Sequence, residues 1–215
     1  NTFTGYGATT VTAQNGIQVW SDPGSGTVTN NTVTNIAYDN TLNPTKYMAT
    51  SILNYYTDLD ITGNTVGGVA HLGVYNIDGA GAINDNVVAI QKIGDYAWGI
   101  IATDPPSAVP SPFAESSDAT APAQMLSPAA APLAVDVSGN QVTFSGPVNT
   151  NTFGIEVDAG YGPNDIAFTG HHNTVTGFEV GMEFYQCVSG CDTGVFTAIA
   201  ANYNNVAGNT LFGMR

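Results

Sequence analysis

Apolar and polar residues alternate along this chain in bursts only a few residues long, each closed by Gly, Asn or Asp. Alternation at period two marks a strand with one buried face. One phrase recurs: Asn-x-apolar, often after Gly. It stands at Asn1-Thr2-Phe3, Asn31-Thr32-Val33, Asn64-Thr65-Val66, Asn86-Val87-Val88, Asn140-Gln141-Val142, Asn173-Thr174-Val175 and Asn209-Thr210-Leu211, with a variant at Asn205-Val206. A second phrase, Gly-apolar-x-apolar, follows most copies. It starts at Gly16, Gly99, Gly154 and Gly181, with a weaker copy at Gly73; after Asn31, the stretch from Met48 to Leu53 takes its place.

Strands this short and this numerous do not suit a parallel sheet with helical crossovers. No stretch carries an amphipathic helix with caps. Tight corners and a repeat of roughly 22 to 33 residues predict a solenoid of stacked parallel coils. Asn suits the corner because it tolerates left-handed backbone and bonds locally. Stacked on its equivalents, its amide also bonds up and down the column. Asn31, Asn64, Asn86, Asn140, Asn173 and Asn209 are the expected corners.

The phrases Thr-Gly-Asn-Thr-Val (62 to 66), Ser-Gly-Asn-Gln-Val (138 to 142) and Ala-Gly-Asn-Thr-Leu (207 to 211) resemble right-handed parallel β-helix repeats. That superfamily includes pectate lyases, polygalacturonases, alginate epimerases, phage tailspikes and bacterial surface proteins. The resemblance covers nearly the whole chain. It implies an all-β fold, a right-handed parallel β-helix of about six to seven coils spanning 1–215 as one domain, and an extracellular protein of bacterial or archaeal type. It says little of function, because the motif encodes a coil rather than a reaction.

The interval from Asn86 to Asn140 is far longer than the others. The excess lies at about 104–132, rich in Pro, Ala and Ser, which holds most of the chain's 11 Pro residues. Pro lacks the donor a strand ladder needs, so a long loop leaves the solenoid here. It is either a surface excursion or an arm anchored by Phe113, Met125 and Leu126.

Charge narrows the partners. Charged residues are 9% of the chain, with 17 Asp and Glu against 3 Lys and Arg, for a net charge of -14. Nucleic acid needs a basic surface that this chain lacks. Anionic lipid is excluded by the same argument, and no apolar run is long enough for membrane insertion. The surface is wetted by Asn, Thr, Ser and Gly, as in secreted surface proteins. The only cysteines, Cys187 and Cys191, are expected to close a small disulfide loop, which implies an oxidising compartment. The opening at Asn1 rather than Met suggests that an upstream segment was removed or left out.

In the second phrase the x residue points outward. Glu156 and Glu183 hold that place in neighbouring coils, Gln18 in an earlier one, and Asp158 lies two residues beyond Glu156 on the same face. Such carboxylates share a proton, bind Ca²⁺, or act as acid and base in glycoside hydrolysis; a plain solvated face is the simpler reading. No cofactor is required. His171-His172 stands at a corner, where a turn role explains it. Polygalacturonases carry a basic Arg-x-Lys element and pectate lyases a catalytic Arg. Neither is found, since the only Arg is Arg215, so no catalytic residue transfers from either family.

Two functional readings remain. The first is an extracellular structural or adhesive protein, such as a filament or surface-layer subunit. It rests on repeats that run to both ends of the chain without a capping helix. That implies either a piece of a longer protein or self-association of open solenoid ends, head to tail. The second is a polysaccharide-active enzyme (glycoside hydrolase or lyase) or a carbohydrate-binding module, taking a glycan on the Glu156, Asp158 and Glu183 face. The residues do not commit to catalysis.

Overall fold

A computed structural model describes residues 1–9, 14–20, 24–38, 49–93, 96–104, 132–147, 149–160, 162–187 and 194–215. Among the described residues, twenty strands, β1 to β20, form three sheets, and every pairing between them is parallel. The first sheet contains β1 (Thr2–Gly7), β4 (Thr32–Ile36), β7 (Thr65–Val69), β10 (Val87–Gln91), β13 (Gln141–Phe144), β16 (Thr174–Thr176) and β19 (Asn205–Ala207). The second contains β2 (Asn15–Trp20), β5 (Thr50–Tyr55), β8 (Leu72–Ile77), β11 (Ala97–Thr103), β14 (Thr152–Ala159), β17 (Val180–Gln186) and β20 (Phe212–Met214). The third contains β3 (Ser25–Thr29), β6 (Asp58–Thr62), β9 (Gly81–Asn84), β12 (Leu133–Ser138), β15 (Ile166–His171) and β18 (Phe196–Asn202). Each sheet takes every third strand in order, which makes the molecule a parallel β-helix.

The core is built from side-chain columns. Val33, Val66, Val88, Val142, Val175 and Val206 stand in register along the first sheet. Ile17, Ile52, Val74, Ile100, Ile155 and Met182 do so along the second. Burying each such side chain contributes about 2 kcal/mol. The Gly of the second phrase has a packing reason. A Cβ at Gly154 would fall 2.2 Å from Val175 Cγ1 and 2.5 Å from Gly181 O. Gly99 meets the same pair of neighbours one coil below, Val142 Cγ1 at 2.3 Å and Gly154 O at 2.6 Å. The first and second sheets approach too closely there for any side chain.

The corner asparagines form one hydrogen-bonded column through Asn1, Asn31, Asn64, Asn86, Asn140, Asn173 and Asn204. Asn86 shows the pattern. Its backbone N–H donates to Asn140 Oδ1 at 2.9 Å, and its side-chain amide donates to Ile61 O at 2.9 Å and to Asn140 Oδ1 at 3.0 Å. Its own Oδ1 accepts from Asn64 in the same way. The expectation for Asn209 is corrected: the last rung is Asn204, whose Oδ1 accepts from Asn173 N–H and Nδ2. Asn204-Asn205-Val206 is itself a copy of the phrase, and the pairing of Val175 with Val206 sets its register. Asn209 instead accepts from the backbone N–H of Phe178 at 3.0 Å.

Phe113, Met125, Leu126 and nearly all of the expected 104–132 loop lie outside the described residues, as does Met48. No helix among the described residues is long and apolar enough to cross a membrane.

Candidate functional site

The outward face of the second sheet carries three side-by-side columns. In the first, Leu72, Trp98 and Phe153 are in register. In the next, the order is Gln18, Leu53, Tyr75, Ile101, Glu156 and Glu183. In the third, Tyr55, Ile77, Thr103, Asp158 and Tyr185 follow one another. Glu156, Asp158 and Glu183 are thus brought together, because parallel register puts Glu156 beside Glu183 and Asp158 is two residues along. Gln18 shares their column but stands four coils from Glu156 and five from Glu183.

The aromatic column is stacked. Trp98 lies 5.5 Å from Phe153 at an interplanar angle of 14°, and 5.6 Å from Tyr96 at 15°. The Trp98 indole N–H donates to Glu156 Oε2 at 2.8 Å. Arg215 closes the other side. Its Nη2 lies 2.7 Å from Glu183 Oε1, its Nε donates to the same oxygen at 2.9 Å, and its guanidinium sits 5.1 Å over the Phe212 ring. Asp158 and Glu183 are nearly covered, at 7% and 8% exposure, whereas Tyr96 and Tyr185 stand out at 44% and 41%. The acids form a floor between exposed aromatic rims.

Burial sets the protonation of this floor. It pushes the Asp158 carboxyl up to about 9, helped by the charge of Glu156 and a hydrogen bond shared with it. Burial also raises Glu156; the Trp98 N–H opposes this and the Glu183 charge reinforces it. Burial thus raises both members of the Glu156–Asp158 pair, which favours a proton held between them. Asp158 Oδ1 is buried without a partner. Burial likewise raises the Tyr75 hydroxyl, followed by the charges of Tyr55, Asp158 and Glu156. The face thus holds a proton-sharing acid pair, an ion-paired third carboxylate and stacked rings.

His171 and His172 meet through their Nδ1 atoms at 2.9 Å on an exposed corner, and His172 stacks on Tyr203 at 5.5 Å. Cys187 follows β17, while Cys191 lies outside the described residues. Among the described residues no three His, Cys, Asp or Glu side chains gather to hold a metal ion.

Sequence reasoning missed three participants. Arg215 has no repeat phrase around it to mark a role, yet the pairing of Val180 with Phe212 and Met182 with Met214 delivers it to Glu183. Trp98 carried a legible signal, since it directly precedes the Gly of a second phrase. Asp104 stands at the edge of the Pro-rich stretch, where the sequence predicts loop. It is fully buried.

No family model, no curated protein and no solved structure matches this chain.

Proposed function

We propose that this chain is an extracellular adhesive β-helix module that binds a neutral or weakly charged glycan on the outward face of its second sheet. The carrying observation is the hydrogen bond from Trp98 to Glu156, which joins a stack of aromatic rings to a recessed set of carboxyls. Aromatic rings supply apolar area for the C–H faces of a sugar, and fixed polar groups beside them orient its hydroxyls. The resemblance of the coil phrases to right-handed parallel β-helix repeats supports the extracellular setting, as does the scarcity of charged residues, 9% of the chain. A Cys187–Cys191 disulfide belongs to the same reading. No free thiol is present among the described residues, and peptide mass mapping without reductant tests the link. The test of binding is a glycan array followed by calorimetry on the best ligand. Saturable binding that drops at least tenfold in Trp98→Ala is expected. Absence of any glycan ligand, or unchanged affinity in that variant, overturns the reading.

One feature favours hydrolysis as the second reading: burial and mutual charge raise the neighbouring Glu156 and Asp158 carboxyls, as in a pair that works as acid and base. Release of reducing sugar that is lost in Asp158→Asn supports it; binding without turnover removes it. Self-association is a further part of the proposal. A following coil, from this chain or from a second copy, would continue the asparagine column past Asn204. Light scattering at high concentration tests the second-copy version.

A further inference from the structure

The outward face of the first sheet carries a two-column array that the glycan reading leaves unused. One column runs Thr2, Thr32, Thr65, Val87, Gln141 and Thr174 in register. The other, two residues further along each strand, runs Thr4, Thr34, Gly67, Ala89, Thr143 and Thr176. Between them the valine column of the core points inward. None of the residues in the two outward columns is buried. From β4 to β16 the register never shifts. Coils repeat about every 4.8 Å and the two columns stand about 6.6 Å apart, so the array is a two-dimensional lattice about 24 Å long.

Three properties set this face apart from the rest of the surface. No strand of the first sheet contains an Asp, Glu, Lys, Arg or His. The strands of the second sheet contain Glu156, Asp158 and Glu183, and those of the third contain Asp58, Asp60 and Asp136. No aromatic ring stands in either column, so the face offers no platform for a sugar ring. Its hydroxyls are aligned between coils: Thr34 Oγ1 donates to Thr4 Oγ1 at 3.4 Å, and Thr176 Oγ1 donates to Thr143 Oγ1 at 3.5 Å. A β-branched side chain is stiff at χ1, so the spacing is set before any ligand arrives and little rotamer freedom is lost on binding.

We infer that this face binds ice. Hexagonal ice presents its oxygens at repeats of the same order along two directions, and a surface that adsorbs to it has to match both at once. The aligned hydroxyls anchor a layer of ordered water. The methyl groups of Thr, Val and Ala between them leave the hydrogen bonds of that layer to the crystal. An ionic side chain would gather its own hydration shell, and stripping that shell against a crystal is costly. This is the physical reason for a charge-free face on a chain of net charge -14. Ice binding by the first sheet does not depend on glycan binding by the second.

The test is ice shaping and inhibition of ice recrystallisation by the full chain, with a fluorescently labelled sample to show retention on the crystal. Faceted crystals and arrested recrystallisation are expected. Thr34→Tyr and Thr143→Tyr each put a ring on the array at a position that is not buried, where the fold should survive; circular dichroism and urea midpoints are compared with the parent. Each should raise the concentration needed to arrest recrystallisation at least tenfold. Thr169→Tyr, at an exposed outward position of the third sheet, should leave it unchanged. Unshaped crystals with ordinary recrystallisation overturn the inference. So does activity that persists in both array variants, activity lost equally in Thr169→Tyr, or retention on crystalline cellulose or chitin without any effect on ice.

Discussion

Trp98 Nε1 donates to Glu156 Oε2 at 2.8 Å across two neighbouring coils, so the aromatic stack and the acid floor are one structural unit. Trp98→Phe should preserve the stacking on Phe153 while removing that donor. The Glu156 carboxyl then loses the hydrogen bond that stabilises its charged form. Its ¹³C carboxyl resonance should titrate at higher pH in the variant than in the parent. An unchanged midpoint would show that the bond does not tune Glu156.

Asp158 carries the pH dependence. Its carboxyl lies at about 9 in the folded chain against an ordinary 3.8. Between those values the folded protein holds a proton that the unfolded chain has released, so stability falls as pH rises from about 4 to about 9. Below that window the contribution is fully present. Asp158→Asn should flatten this slope. Urea midpoints at pH 5 and pH 8.5, compared between parent and variant, measure it.

Asn86 should be among the costliest polar side chains to remove. Asn86→Ala strands the backbone N–H of Asn64, takes one acceptor from the Asn64 side-chain amide, which keeps Val28 O, and removes the side-chain donors to Ile61 O and Asn140 Oδ1, in a site with no exposure. A loss of about 3 to 5 kcal/mol is expected from several buried groups left unpaired. Asn209→Ala strands only the Phe178 N–H, so about 1 kcal/mol should suffice. Equal losses in chemical denaturation would argue against a column that ends at Asn204.

Gly154→Ala tests the close approach of the first and second sheets. The new methyl would meet Val175 Cγ1 at 2.2 Å and Gly181 O at 2.5 Å, and one of these is rigid backbone. Destabilisation of at least about 3 kcal/mol is expected. A double variant with Val175→Ala should recover part of it by removing the side-chain clash, read as a positive coupling in a mutant cycle.

The periodic phrases by themselves determined the stacked parallel coils, most of the asparagine corners and the shared face of Glu156, Asp158 and Glu183. They did so because a solenoid repeats one local geometry, so each coil states its own inside and outside through period-two alternation. Where the phrase occurs twice in close succession, as at Asn204 and Asn209, spacing alone could not choose. The hydrogen bonds from Asn173 decided it. Only the tertiary structure placed Arg215 on Glu183 and Trp98 on Glu156. These contacts join residues far apart in sequence, and burial then sets which carboxyls keep their protons. Neither register between distant coils nor the depth of a carboxyl is written in any single repeat.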